Sequence, residues 1–218
     1  MANTHGKVKR SYKSAVRRER AMVTQVAVVE AARSLFVENG YVATSMDAIA
    51  AAAGVSRATV FNSVGGKPAL LRRAYEVAVR GDYDPTPLGQ RVSARRTLAQ
   101  PDRHRLLDEY AAVCAGYGPR LSPIYEVVRA AAHADPDAGQ LWETITQERW
   151  VGAGRVIDAV AKRGPLRSDL DRRTATDVLW VLNDPGLFHS LVELRGWTSD
   201  HFETWLARAM QTELLPSA

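Results

Sequence analysis

Three observations predict an all-α fold. Apolar residues recur along most of the 218-residue chain at the helical period, with cap residues where helices would start and glycines where they would end. No stretch sustains the period-2 alternation of a half-buried strand. About nine helices are expected, in an N-terminal domain containing a helix-turn-helix followed by a larger C-terminal helical domain.

Residues 1–20 carry Lys7, Lys9, Arg10, Lys13, Arg17, Arg18 and Arg20 with almost no apolar residue, which predicts a flexible basic arm. From Thr24, Val28, Ala31, Ala32, Leu35 and Phe36 form one helical stripe that ends at Asn39-Gly40. Ser45 can cap a second, short helix with Met46, Ile49, Ala50 and Ala53 on one face, stopped by Gly54. Ser56 can cap a third that carries Val60 inward and closes at Gly65-Gly66. Pro68, harmless in a first turn, opens a fourth with Leu71, Ala74, Tyr75 and Ala78 inward. Gly81 to Pro87 is dense in turn residues, so the domain boundary is placed there, dividing 21–80 from 81–218. Further helices are expected over about 101–116, 119–133, 136–162, 172–195 with a break at Asn183-Asp184-Pro185, and 199–214. In the last, Phe202, Trp205, Leu206, Ala209 and Met210 make an apolar stripe, and Asp200 with Glu203 has capping-box spacing.

The net charge of +5 is unevenly placed: +6 on residues 1–20, +2 on 21–80 and −3 on the rest. The basic end calls for an anionic partner. A solvated tail serving solubility competes with that reading for the arm. No apolar run approaches the roughly 18 residues of a membrane span, and no apolar h-region follows the basic N-terminus, so the expected setting is cytoplasmic. One cysteine, Cys114, allows no internal disulfide and reads as a small buried hydrophobe. His5, His104, His133, His189 and His201 show no metal-ligand spacing, and no phosphate loop or nucleophile motif occurs. Neither an enzyme nor a metal or cofactor is expected.

Ser45 to Val64 carries the function. It reads as two short helices joined at Gly54, with alanines where they cross and Val55 plugging the turn, the geometry whose second helix can lie in a DNA major groove. That second helix would expose Ser56, Arg57, Thr59, Phe61 and Asn62, a mixture suited to phosphates, base edges and thymine methyls. An αα-hairpin with a polar face also occurs in helical enzymes. Here a basic arm precedes it and Lys67 heads the next helix, where phosphate is also favoured.

The segment resembles the TetR family of bacterial transcriptional regulators. The likeness rests on Ala31-Ala32-Arg33-Ser34-Leu35-Phe36, Gly40-Tyr41, Ser45 to Ala50, Ala53-Gly54-Val55-Ser56, Thr59-Val60-Phe61 and Gly65-Gly66-Lys67-Pro68-Ala69-Leu70-Leu71. It covers residues 24–80, and Asp177 to Trp180, Asn183 to Pro185 and Arg195 to Leu206 look like the C-terminal helices of one branch of the family. The resemblance implies that Ser45 and Lys67 contact phosphate and that Arg57 and Thr59 face the groove. Phe61 stands at a position usually held by tyrosine, keeping the ring without its hydroxyl. Ser63-Val64 replaces a usual aromatic pair, and Gly66 a frequent Ser or Asn cap.

With this context the arm residues Lys13, Arg17 and Arg18 are expected on the DNA backbone or in the adjacent minor groove. All five tryptophans lie beyond residue 81. The family implies a homodimer whose last two long helices pair with their mates, through Trp180, Phe202, Trp205, Leu206 and Met210. Tyr110, Tyr117, Tyr125, Trp142, Trp150 and His189 could line a pocket for a small apolar or aromatic effector, or could be plain core. The implied mechanism is repression at a palindromic operator of double-stranded DNA, relieved by that ligand; a constitutive or architectural DNA-binding protein is the alternative.

Overall fold

The computed structural model describes residues 4–84, 86 and 88–217, with the side chains of 4–16 and 88 outside the description. Every described regular element is helical, in two compact units, 1–76 and 77–218.

The first unit begins with α1 (Thr4–Asn39). Its helix includes most of the segment whose composition predicts a flexible arm. Nothing local forbids this: no proline occurs there and no glycine follows Gly6, while Lys, Arg and Ala are good helix formers. Its exposed apolar residues Met22 and Val23 give way to burial at Val28, Val29, Ala32 and Phe36. Gly40 ends the helix at φ +78°, and the buried Thr44 hydroxyl ties the turn by donating to the carbonyls of Leu35 (3.1 Å) and Gly40 (2.8 Å). Then come α2 (Met46–Ala52), α3 (Arg57–Ser63) and α4 (Lys67–Arg80). The inward set Ile49, Ala50, Val60, Leu71, Ala74, Tyr75 and Ala78 is buried as the helical period predicts.

The second unit holds the C-terminal turn of α4, a 3-10 turn (Leu88–Gln90), α5 (Val92–Ala99), α6 (Arg103–Ala131) and α7 (Pro136–Ala161). It continues with α8 (Arg172–Leu182), α9 (Pro185–Phe188) running into a π-helical segment His189–Leu194, and α10 (Ser199–Leu214). Aspartates 102, 135, 171 and 184 cap α6, α7, α8 and α9.

Three expectations are revised here. Helix α5 is additional to the predicted set. Helix α6 is continuous where two helices are predicted, running through Gly116, Gly118, Pro119 and Pro123; Arg120 Nη1 donates to the Gly116 carbonyl in the loosened turn (3.1 Å). Helix α10 is capped by Thr198, which accepts from His201 N at 3.1 Å, so Asp200 sits inside the first turn and is not its cap.

The core of this unit joins α6, α7, α8 and α10 around Leu107, Ala111, Ile157, Leu179, Leu206 and Met210. Gly118 is where Phe188 meets α6: a Cβ there would lie 2.3 Å from the ring. Phe188 in turn meets Phe202 edge-on at 5.2 Å. Trp197 stacks on His201 with 4.1 Å between ring centroids, and Trp205 abuts Trp197 at 6.0 Å. The segment after α4 is strapped, although its composition marks a linker. Arg91 grips Asp82 with both Nη atoms (2.8 and 2.7 Å) and also donates to the carbonyls of Arg80, Asp84 and Thr86.

Candidate nucleic-acid interface

Helices α2 and α3 form a tight hairpin because each is capped and the turn between them needs a left-handed residue. Gly54 supplies it at φ +67°, and Val55 N closes the turn on the Ala50 carbonyl at 3.0 Å. Ser45 Oγ accepts from Ala48 N, and Ser56 Oγ from Thr59 N, each at 3.1 Å. Ser45, which the resemblance places on phosphate, and Ser56 are both helix caps, as their positions predict, and the Ser56 hydroxyl also meets that of Thr59 at 2.8 Å.

Outward from α3 stand Arg57, Phe61 and Asn62, all exposed, with Thr59 half-buried. Phe61 is 63% exposed, beside a Val60 that is wholly buried. The Phe61 ring is open to contact from outside the unit. Arg57 Nη1 donates to Asp47 Oδ2 on α2 at 3.2 Å. Lys67, at the start of α4, donates to the Val42 carbonyl at 3.1 Å and lies over the Tyr41 ring, 4.4 Å from its centroid. Arg17 and Arg18 are exposed on α1, while the side chain of Lys13 lies outside the described residues.

The residues expected around an effector do not form one group. Tyr125 and Trp142 are brought together, their rings 5.1 Å apart. They flank an interior polar centre that periodicity alone does not single out. Arg149, its side chain 11% exposed, donates to Tyr125 Oη (3.0 Å), Asp184 Oδ2 (2.9 Å), the Trp180 carbonyl (2.8 Å) and Asn183 Oδ1 (2.9 Å). Tyr110 joins through Asn183 Nδ2 at 2.8 Å. A signal for Arg149 exists in the sequence: it interrupts the inward stripe Ala138, Leu141, Ile145, Ala153, Val156 and Val160 of α7. The other candidates are elsewhere. Trp150 Nε1 donates to Asp177 at 2.7 Å, His189 Nδ1 meets Glu193 at 2.6 Å, and Tyr117 donates to Cys114 Sγ at 3.2 Å. Burial pushes the Cys114 thiol up to about 11 and raises both Tyr110 and Tyr117, so these groups stay protonated at neutral pH.

The proposed dimer contacts also divide. Phe202, Leu206 and Met210 are buried within the single chain, so they cannot serve as its outer face: their stripe is turned to the core shared with α6. Trp180 and Trp205 are half-buried. Among the described residues no helix is long and apolar enough to cross a membrane, and no group of acidic, His and Cys side chains could hold a metal ion.

A glycine-turned pair of capped helices whose second member shows a cation, hydroxyls, an amide and an unburied ring defines a helix-turn-helix domain of the DNA-binding class. Residues 28–74 match the family model of bacterial regulatory proteins of the tetR family. The N-terminal unit therefore carries the DNA-binding domain of that family.

The whole chain is similar in fold to solved members. A structure described as a TetR-family transcriptional regulator from Syntrophomonas wolfei has TM-score 0.69 and 15% identity over 87% of this chain and 93% of that one. NalD of Pseudomonas aeruginosa, the secondary repressor of the MexAB-OprM multidrug efflux pump, has TM-score 0.65 and 21% identity over 89% and 98%. SmeT, in its triclosan complex, has TM-score 0.66 and 17% identity over 88% and 91%. No curated protein matches it in sequence.

Proposed function

We propose that the protein is a homodimeric repressor that binds a palindromic operator through α3 and releases it when a small apolar or aromatic molecule occupies the C-terminal unit. The observation that carries the DNA half is the outward face of α3, where Phe61 is 63% exposed beside Arg57, Thr59 and Asn62 on a helix whose other face is buried. Phe61 offers its ring to thymine methyls, Asn62 and Thr59 offer hydrogen bonds to base edges, and Lys67, Arg17 and Arg18 serve the backbone. Selection of bound duplexes from a random pool, followed by salt competition, tests it. An enriched palindrome is expected, and none at any ionic strength overturns sequence-specific binding.

The ligand half is supported by the aromatic setting of Arg149 among Tyr110, Tyr125, Trp142 and Trp180 and by a fold neighbour that holds triclosan. Linkage requires that an effector which weakens operator binding be itself bound more weakly, by the same factor, when the operator is present. Isothermal titration with and without the enriched duplex measures both sides of that equality. One observation favours a second reading, constitutive binding: both Arg149 Nη atoms already have partners inside the chain. Failure of small aromatic compounds to shift either the melting temperature or operator affinity would select it.

A further inference from the structure

Between Gly40 and Gly66 the sequence holds one acidic and one basic residue, Asp47 and Arg57. The fold pairs them. Asp47 Oδ2 on the first turn of α2 accepts from Arg57 Nη1 on the first turn of α3 at 3.2 Å, and both side chains are open to solvent, 70% and 66% exposed. The hairpin that enters DNA is therefore electrically neutral, its one cation held by its one anion. For a domain whose partner is a polyanion this is costly: a carboxylate on the approaching face repels every phosphate, and an exposed ion pair returns little stability in exchange. Arg57 also stands at a helix start, where the backbone dipole disfavours a cation and leaves the carboxylate as its local counter-ion.

We propose that Asp47 is a specificity-determining residue that acts through Arg57, withholding the guanidinium from the phosphates of arbitrary DNA while leaving its Nε–Nη2 edge open to a guanine. A single phosphate oxygen offers the guanidinium little more than Asp47 already does. Guanine O6 and N7 can take a bidentate pair from Nε and Nη2 while Nη1 stays on Asp47, so that contact keeps the ion pair. Breaking the ion pair is therefore a cost of reaching phosphate and not of reaching a guanine in register. Asp47 thus lowers non-cognate affinity more than cognate affinity, which is specificity by repulsion of the wrong partner. The inference rests on the DNA-binding reading above and adds to it a residue that the recognition helix does not itself contain.

The test compares the whole chain with Asp47→Asn, Arg57→Gln and the double variant. Binding to a mixed-sequence duplex and to the selected duplex is measured by fluorescence anisotropy across a salt series. Asp47→Asn is expected to tighten mixed-sequence binding about three- to ten-fold at low salt, to steepen its log–log salt slope by about one, and to change selected-duplex affinity by less than about two-fold. In the Arg57→Gln background the same substitution should change mixed-sequence binding by less than about two-fold, because its partner is gone. An equal effect in both backgrounds would overturn the proposal, since Asp47 would then act as a bulk charge. So would an Asp47→Asn protein with unaltered affinity and slope. Asp47→Ser, which keeps a small polar side chain in the first turn, separates these outcomes from a folding defect, and matching melting temperatures for the two variants qualify the comparison. A wild-type chain that binds neither duplex overturns the DNA-binding reading itself, a result visible before any variant is made.

Discussion

Phe61 and Arg149 place opposite demands on the molecule. Phe61 lies mostly in water and packs little against its own unit, so Phe61→Ala should leave the melting temperature within about 1 °C while weakening DNA binding by about ten-fold, the worth of roughly 1.4 kcal/mol. Circular dichroism and anisotropy read the two quantities separately. Arg149 is the reverse: its guanidinium satisfies a carboxylate, a phenol, a carbonyl and an amide across α6, α7 and the α8–α9 turn. Arg149→Met fills similar volume but leaves the Asp184 charge without its cation, only Tyr125 Oη and Gly186 N still donating to it, and should destabilise the chain by about 2 kcal/mol in urea unfolding. Adding Asp184→Asn should restore part of that loss, because the stranded charge is then removed.

At the scale of elements, the basic residues at the start of α1 belong to a 36-residue helix and not to a tail. Deleting residues 1–20 should weaken binding to all duplexes alike and flatten the salt slope, as a purely electrostatic contact requires. An unchanged slope in the truncated protein would remove this segment from the interface. Most helices were legible in the sequence because their caps and stops are local: Gly40, Gly54, Ser45, Ser56 and the Asn183-Asp184-Pro185 break all mark real ends. What periodicity cannot show is which partner an apolar stripe meets. Phe202, Leu206 and Met210 read equally well as a face for a second chain and as core against α6, and the fold chooses the core. The continuity of α6 past Pro119 was hidden for a similar reason, because proline and glycine forbid a helix only where neighbouring groups fail to support it. At the interface, Arg57, Phe61 and Asn62 were visible as exposed positions, but the grip of Asp47 on Arg57 depends on how two helices cross.

For the whole molecule, the proposed dimer should sediment as such at micromolar concentration. Trp205→Arg should shift it toward monomer, whereas any substitution of Phe202 would report core damage instead. Acid should act on the C-terminal unit. Arg91 holds Asp82, Arg172 holds Asp158 and Arg167 holds Asp169 below the usual carboxylate range, while backbone amides at helix starts do the same for Asp102 and Asp171. A carboxylate whose folded pKa lies below its unfolded value contributes fully above about pH 4 and loses that contribution as pH falls through the folded value. Unfolding monitored between pH 6 and pH 2 should therefore show stability declining below about pH 4, with a shallower decline in Asp158→Asn.

The stack of Trp197 on His201 has a spectroscopic consequence. Every indole of the chain lies in the C-terminal unit, so its intrinsic emission is blind to the DNA-binding head, whose aromatic residues are phenylalanine and tyrosine. A ring lying flat on an indole covers one of its faces, so collisional quenching of Trp197 by acrylamide should be slowed in the folded unit. His201→Gln should remove that protection, giving an optical signal of the state of one unit that the other cannot contaminate.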